Sequence, residues 1–449
     1  MSSLLYNKKS IIGRLYLYFS VYFSVLSAPT AMSLFLLVLS ILALESANSI
    51  RFLHRHFLCK ITEKSLNAFY YACTYAKVDY TGFLSVTASI AMGIIPENLL
   101  SQPIFLCIDD TMVEKHGKKF ENVSKLFDHA SHNGSNYLNG HCFVSLMLRV
   151  PVWDGDSIAY QPVPLGYRMW KKEKSKLVIA SEMIQQAMPA LKKACRIIVL
   201  CDSWYAKSEI FALAHKFSAI EVICNVRHDT VLYDLKPDPT GKRGRPSSHG
   251  RRLSIDEDFV FSDVKIGGFN VANRKVLTNL LKGHVMEAFV TSADNTESRR
   301  LFLSTISAED LSMPFICQQM IIDDEVEENA IPFLPYAIYS LRWKIEVSYY
   351  EQKTFWSLCS YMLRSSDGIE MLLNLINISY SAMKILPFAD KSFAQYQNIG
   401  TQEFRFVLSQ KIHEQIFMTT FVESVEKVIK IKRAVDRLKQ WVLTKLYAA

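Results

Sequence analysis

The sequence predicts an α/β protein in which a mixed sheet is flanked by helices, interrupted by a β-rich insertion and bounded by helical N- and C-terminal regions. Between residues 101 and 227, short apolar runs alternate with segments of helical spacing, as in a sheet with helices on its faces. Residues 228–335 instead hold short β-like pieces around a loop rich in Gly, Pro and Arg. A chain of 449 residues has room for two to four domains.

Changes in this pattern predict five regions along the chain. The terminal regions are helical, the sheet domain has two parts, and the insertion separates those parts. In chain order these are a helical domain at 1–100, the first part of the sheet domain at 101–227, the insertion at 228–335, the second part at 336–390 and a helical region at 391–449.

Charge and cysteine content narrow the class of protein. The formal net charge of +8 suits a partner that carries phosphates, although an ordinary basic protein can have the same balance. The nine cysteines form no CxxC pair, and several lie inside apolar runs. This usage is typical of reduced cysteine in a cytoplasmic protein rather than of a disulfide framework or a zinc site.

One amino-terminal segment leaves two interpretations open. Residues 15–44 contain no charged side chain, which raises a transmembrane interpretation. Pro29 and several serines interrupt the segment, and its unbroken apolar part is only about half of a membrane span. We therefore expect a buried helix of the amino-terminal domain, with membrane insertion as the alternative that cell fractionation would test.

Two apolar runs lead directly into aspartate. Ile104–Ile108 precedes Asp109 and Asp110. Ile197–Cys201 precedes Asp202. Both runs have the length and composition of buried strands. Because functional groups gather at strand ends in sheets of this kind, these aspartates are candidate site residues.

A stripe of polar residues follows on a predicted long helix at Leu334–Leu363. Tyr339, Arg342, Glu346 and Lys353 fall within about 60° of one another around an ideal helix. A carboxylate bracketed by two cations and a phenol suits metal binding beside a phosphate backbone that lies along the helix. The alternative is a solvated helix face with an Arg–Glu pair four residues apart.

These motifs together resemble a large group of bacterial insertion-sequence DDE transposases. The spacing Tyr-x2-Arg-x3-Glu-x6-Lys, from Tyr339 to Lys353, is similar to the signature of that group. The segments 108–111 (IDDT) and 200–203 (LCDS) resemble its first-strand and fourth-strand motifs. The resemblance covers most of residues 100–360 and implies a ribonuclease-H-like fold whose long second gap holds the β-rich insertion.

The resemblance also implies an activity and its catalytic residues. A transposase of this group would cut DNA at transposon ends and transfer the 3′-hydroxyl into target DNA. Asp110, Asp202 and Glu346 would be catalytic and would hold two divalent ions, Mg²⁺ or in its place Mn²⁺. Adjacent strand residues point to opposite faces, so only one of Asp109 and Asp110 faces the site. The family pattern puts the ligand directly before Thr111, which favours Asp110.

The implied partners are double-stranded DNA and a second copy of the chain in the DNA complex, in the cytoplasm at the nucleoid. Trp343 could stack on a base, but a core position is the preferred interpretation. The DNA-contact candidates are Tyr339, Arg342 and Lys353 on the stripe, Arg227 after a predicted strand, and Lys242, Arg243 and Arg245 in the basic loop, whose sequence resembles minor-groove motifs. For Arg227 and the basic loop, the alternative is a solvated surface cation without a DNA contact.

Two further functions remain open at the level of sequence. One is a metal-dependent nuclease of the same fold that performs no strand transfer. The other is a non-catalytic DNA-binding module, which the intact carboxylate set disfavours.

Overall fold

The computed structural model describes residues 7–117, 119–127, 136–238, 247–294, 296, 298–311 and 328–446. The α-helices of this part are α1 Ile11–Phe23, α2 Ala28–Ala43, α3 Ile50–Leu53, α4 Cys59–Ile61, α5 Leu66–Thr74, α6 Gly82–Met92, α7 Lys176–Ala187, α8 Ser208–Lys216, α9 Ala308–Leu311, α10 Leu334–Tyr339, α11 Lys344–Phe355, α12 Ser366–Ala389 and α13 Thr401–Leu446. A π-helical turn at His54–Leu58 joins α3 to α4, and 3₁₀ turns lie at Glu97–Leu99, Glu328–Phe333, Ser340–Trp343 and Lys391–Tyr396.

The strands are β1 Ile104–Glu114, β2 Ser124–Phe127, β3 Tyr137–Asp154, β4 Ser157–Met169, β5 Ile197–Cys201, β6 Ile220–Val226, β7 Leu232–Tyr233, β8 Arg252–Leu253, β9 Lys265–Ile266, β10 Phe269–Thr278, β11 Met286–Ala293 and β12 Arg299–Ser304. The chain divides into two compact units. One comprises residues 1–78, 355–362 and 398–449, and the other comprises residues 79–354 and 363–397. The five-region division from sequence draws its boundaries elsewhere and stays a prediction.

The first unit is helical and contains the uncharged segment 15–44. That segment forms the end of α1 and the whole of α2, because Ser27 and Pro29 start a new helix. Every residue of α2 from Ser33 to Ala43 is buried. Arg405 of α13 is also buried, and its guanidinium donates to the carbonyl oxygen of Ile41 at 2.8 Å. The apolar segment therefore packs inside this unit as two short helices.

The second unit is built on a twelve-stranded sheet. Its path is β2-β3-β1-β5-β6-β12-β11-β10-β7-β8, with β4 beside β3 and β9 beside β10. Strand β1 runs antiparallel to β3 and parallel to β5, and β5 is parallel to β6. The portion β4-β3-β1-β5-β6 is mixed and carries helices, which is consistent with a ribonuclease-H-like fold. Strands β7 to β12 extend the same sheet, since β12 pairs with β6.

Two buried strands, β1 and β5, position the candidate aspartates. The side chains of Ile104–Ile108 and Ile197–Cys201 are all buried, as is expected where both faces of parallel strands are covered. The parallel register places Ile108 beside Cys201. The next residue in the chain is Asp109 in β1 and Asp202 directly after the end of β5, so both aspartates lie at the carboxyl end of β5.

Helix α12 covers the edge strand β4. The Asn374 side chain exchanges two hydrogen bonds with the backbone of Tyr167, at 3.0 and 3.1 Å. Among the described residues, α12 alone is long and apolar enough to cross a membrane. Of its most apolar 18-residue stretch, 89% is buried inside the protein.

The predicted long helix at Leu334–Leu363 is interrupted. The structure has α10, then the 3₁₀ turn Ser340–Trp343, then α11. Within that turn the carbonyl oxygen of Leu341 accepts a hydrogen bond from Arg149 Nη1 at 3.1 Å. Arg149 is buried, so its guanidinium needs this acceptor. The interruption places Tyr339 and Arg342 before the helix that carries Glu346.

Candidate active site

Asp109 and Asp202 form the strand side of the site. The paired register of β1 and β5 ends at Ile108 and Cys201, the residues directly before the two aspartates. The charge of Asp202 acts on Asp109, where it adds to the rise in pKa. The chain turns sharply after Asp202, and Asp202 Oδ1 accepts hydrogen bonds from the backbone N–H groups of Trp204 at 3.1 Å and Tyr205 at 3.3 Å. This turn fixes the Asp202 carboxylate at the end of β5.

Arg342 joins the strand side to the helix side. Its Nη1 lies 3.1 Å from Asp109 Oδ2, and its Nη2 lies 2.5 Å from Glu346 Oε1. Its Nε donates to the Tyr339 hydroxyl at 3.1 Å. The Arg342 side chain is only 13% exposed, so these partners satisfy it inside the protein. The structure thus brings Asp109, Arg342 and Glu346 into one hydrogen-bonded group beside Asp202.

Asp110 has different surroundings. Its Oδ2 accepts from Lys176 Nζ at 2.7 Å and from the Tyr205 hydroxyl at 2.9 Å. Its Oδ1 accepts from the Cys142 thiol at 3.4 Å. The alternation of β1 turns Asp110 away from the face that carries Asp109. Through Arg342, the geometry joins Asp109 rather than Asp110 to Glu346, and the choice of Asp110 as the metal ligand stays a prediction.

Lys353 and Tyr339 are engaged inside the unit. Lys353 Nζ donates to the carbonyl oxygen of Met112 in β1 at 3.1 Å. Tyr339 packs edge-on against Phe302, with ring centroids 5.0 Å apart. The predicted stripe is therefore not an open surface along one helix. Its residues fasten α10 and α11 to the sheet, and contacts with DNA by these side chains remain a prediction.

The Asp109 and Asp202 carboxylates are strongly desolvated. Burial raises the pKa of Asp109 to about 7, although the charge of Arg342 opposes the rise. Burial also raises the pKa of Asp202, against its two backbone hydrogen bonds and the charge of Arg342. A second positive charge near these groups would favour their ionised forms.

The donor set suits a divalent cation. Carboxylate oxygens are the ligands that Mg²⁺ prefers, and Asp109, Asp202 and Glu346 offer them. Arg342 shows that this place accepts positive charge, because its guanidinium contacts both Asp109 and Glu346. Within the described residues, no three His, Cys, Asp or Glu side chains lie close enough together to share an ion. For one cation to contact both carboxylates, the guanidinium would have to give way.

The other predicted DNA contacts differ in position. Arg227 follows β6 at the carboxyl edge of the parallel strands, and its side chain is 67% exposed beside Asp229. Lys242, Arg243 and Arg245 lie outside the described residues. Trp343 was expected in the core, but it is 60% exposed, because the 3₁₀ turn directs it outward next to Arg342.

Sequence reasoning missed the group around Asp110. Lys176 is the first residue of α7, Tyr205 follows β5, and Cys142 lies on β3. These residues are distant in sequence and match no spacing rule. The four lysines of residues 171–176 (KKEKSK) could have indicated a cationic loop near the site.

One family comparison bears on the site. Residues 85–263 match the profile of the family described as DDE superfamily endonuclease. The matched segment includes Asp109, Asp110 and Asp202, ends before Glu346 and covers less than half of the chain. A comparison with curated proteins returned no match. The family match supports a metal-dependent, phosphoryl-transferring enzyme of DDE type with DNA as its substrate.

Proposed function

We propose that the protein is a DNA transposase of the insertion-sequence type, which cuts transposon ends and joins them to target DNA. The observation that carries the proposal is the group formed by Asp109, Arg342 and Glu346 beside Asp202. The sheet strands that carry Asp109 and precede Asp202 belong to residues 85–263, the stretch that matches the DDE endonuclease family. The alternation of β1 is the reason for proposing Asp109 rather than Asp110.

The proposed reaction has two phosphoryl transfers. In the first, water attacks the phosphorus at the transposon end, and the 3′-oxygen leaves as a free hydroxyl. In the second, that 3′-hydroxyl attacks a phosphorus of the target strand, whose own 3′-oxygen leaves. Two divalent ions would be held by Asp109, Asp202 and Glu346, and they would stabilise the attacking and leaving oxygens.

The protein's own side chains would hold the site in place. Arg342 would keep Asp109 and Glu346 oriented before DNA arrives, since it contacts both. Lys353 would fix α11 against β1 through the carbonyl oxygen of Met112. Arg227, exposed at the strand ends, would contact a DNA phosphate.

A homodimer is proposed from α13. Exposed apolar residues of its second half recur at spacings of three, four and three, the pattern of a helix that packs against another helix. They are Val428, Ile431, Val435 and Leu438, and Phe421 lies seven residues before Val428. Sedimentation analysis should show a dimer that Val428→Glu together with Val435→Glu dissociates. A monomer both with and without DNA would contradict this part of the proposal.

The activity test uses the full chain and labelled linear DNA that carries the genomic segments flanking the gene, with a supercoiled plasmid as target. We expect cuts in Mg²⁺ or Mn²⁺, none in Ca²⁺ or chelator, and joined products of label and plasmid. Full cutting in chelator would contradict the metal-dependent mechanism. Metal-dependent cuts without any joined product would instead identify a nuclease of the same fold.

A further inference from the structure

Three side chains form a row across the sheet next to the candidate site. Asp109 of β1 is paired with Ser145 of β3, and Ser145 is paired with Tyr167 of β4. Directly paired residues of antiparallel neighbours carry their side chains on the same face of the sheet, with Cβ atoms about 5 Å apart. Ser145 therefore lies beside Asp109 on the face from which Arg342 contacts that carboxylate.

Tyr349 of α11 packs over this row. It lies three residues after Glu346, which is about one helical turn, and its ring centre is 6.3 Å from that of Tyr167. Burial and the charge of Asp109 raise the pKa of the Tyr349 hydroxyl well above its usual value, whereas the Ser145 hydroxyl lowers that pKa. The hydroxyls of Tyr349 and Ser145 thus lie near each other and near the Asp109 carboxylate.

Both hydroxyls are buried, and no hydrogen bond accounts for their burial. Within the part of the chain that the structure describes, neither the Tyr349 hydroxyl nor the Ser145 hydroxyl forms a hydrogen bond of normal geometry. A buried hydroxyl in that condition destabilises the folded protein, because it has given up its hydrogen bonds to water. Two unsatisfied donors next to a carboxylate point to a second arrangement in which the carboxylate accepts from them.

We propose that Ser145 and Tyr349 are positioning residues that hold the Asp109 carboxylate once a divalent ion has taken the place of the guanidinium. In that arrangement the Ser145 hydroxyl donates to Asp109 and accepts from the Tyr349 hydroxyl, since a serine hydroxyl can do both at once. Carboxylates that bind a metal ion are commonly held by such hydrogen bonds, which orient their oxygens. The inference rests on the proposed function, because it requires a metal ion at Asp109.

The test measures Mn²⁺ binding by calorimetry and thermal melting without metal, both on the full chain. Ser145→Ala and Tyr349→Phe each remove one hydroxyl and little else. We expect each variant to bind Mn²⁺ roughly ten-fold more weakly. Its metal-free melting temperature should stay unchanged or rise, because the metal-free protein loses no hydrogen bond. The double variant should lose little more affinity than either single variant, since the two hydroxyls act in one chain, and DNA cutting should recover as the Mn²⁺ concentration is raised.

Tyr160→Phe is the matched control. The Tyr160 hydroxyl is also buried and lacks a hydrogen-bond partner among the described residues. Its ring contacts Phe105, which lies four residues or about 13 Å before Asp109 along β1. The Mn²⁺ affinity of this variant should equal that of the wild type.

Wild-type Mn²⁺ affinity in both Ser145→Ala and Tyr349→Phe would overturn the inference. A fall of several degrees in their metal-free melting temperatures would overturn it as well, because the hydroxyls would then stabilise the protein without metal. In both cases, a wild-type protein that binds Mn²⁺ and cuts DNA would leave the proposed function standing. If the wild type bound no Mn²⁺, the proposed function would fail, and the inference with it.

Discussion

On one side of β1, Asp109 shares Arg342 with Glu346, whereas on the other side Asp110 accepts from Lys176 and Tyr205. The two aspartates are adjacent in sequence, and their chemical character is identical. They differ only because successive side chains along a strand point to opposite faces of the sheet. A motif of two adjacent acidic residues therefore does not identify the one that belongs to the site until the helices on each face of the strand are known.

The carboxylates of Asp109 and Asp110 also differ in the groups that donate hydrogen bonds to them. The Asp110 carboxylate has three donors, an ammonium, a phenol and a thiol, whereas the Asp109 carboxylate has two. Asp109 depends on Arg342 and one backbone N–H, and burial raises its pKa to about 7. A group with fewer donors in a buried place is the better candidate for an additional cation.

The greatest loss of activity is expected from a substitution of Glu346 on α11. Glu346→Gln retains the size of the side chain and an oxygen that Arg342 can contact, but it removes the negative charge that would hold a metal ion. We expect cutting to fall about a thousand-fold, because several kcal/mol of metal stabilisation of the transition state would be lost. Binding of DNA, measured by fluorescence anisotropy, should stay within a few-fold of wild type. If Glu346→Gln were fully active, α11 would not contribute a residue to the active site.

Arg342→Ala tests whether the guanidinium stands where a cation would bind. Without divalent metal, we expect the melting temperature to fall by several degrees, because Asp109 and Glu346 lose a charged hydrogen-bond partner. Adding Mn²⁺ should restore much of the loss, since an ion that binds only the folded protein stabilises it. Thermal melts with and without Mn²⁺ measure both changes. Equal responses to Mn²⁺ in Arg342→Ala and in Arg227→Ala, whose loss leaves the site intact, would contradict this account.

Glu351→Gln provides a contrast on α11 itself. Glu351 lies away from the site, accepts from the Tyr380 hydroxyl and stands 3.7 Å from Lys384. Gln keeps an acceptor for Tyr380 but leaves Lys384, which is mostly buried, without its countercharge. We expect the free energy of unfolding to fall by about 1 kcal/mol and cutting to be unchanged. Loss of cutting at wild-type stability would show that the faces of α11 have been assigned the wrong way round.

The smallest effects concern phosphate contacts outside the site. Arg227→Ala should weaken DNA binding a few-fold and reduce the slope of log affinity against log salt by about one. Removing Lys242, Arg243 and Arg245 together should flatten that slope further if the basic loop lies on DNA. Anisotropy titrations at several salt concentrations measure both changes. An unchanged slope in either variant would exclude the corresponding contact.

Much of the sheet could be predicted from sequence, and the arrangement at its centre could not. The segment Ile197–Cys201 was predicted with the bounds that the structure shows, because a short apolar run between polar turns has few other interpretations. The interruption of the long helix was not predicted. Within it the Leu341 carbonyl accepts a hydrogen bond from Arg149, a buried residue of β3, and helical spacing carries no information about such a distant partner.

The contacts within the site could likewise be predicted from the sequence only in part. The spacing of Arg342 and Glu346 correctly indicated a contact, since residues four apart meet on one helical side. The choice between Asp109 and Asp110 required the face of the sheet on which α11 packs, and that is a tertiary property. The exposure of Trp204 and Trp343 was equally hidden, because an apolar side chain in sequence indicates burial by default.

The most direct test of the central claim compares Asp109→Asn with Asp110→Asn in one assay of Mn²⁺ binding by calorimetry and of Mg²⁺-dependent DNA cutting. We predict that Asp109→Asn loses Mn²⁺ binding and cuts about a thousand-fold more slowly. Asp110→Asn should bind Mn²⁺ and cut within about ten-fold of wild type, while unfolding more easily because Lys176 loses its partner. If Asp110→Asn abolished Mn²⁺ binding and Asp109→Asn left it intact, the assignment of the metal site to the Asp109 face would be contradicted.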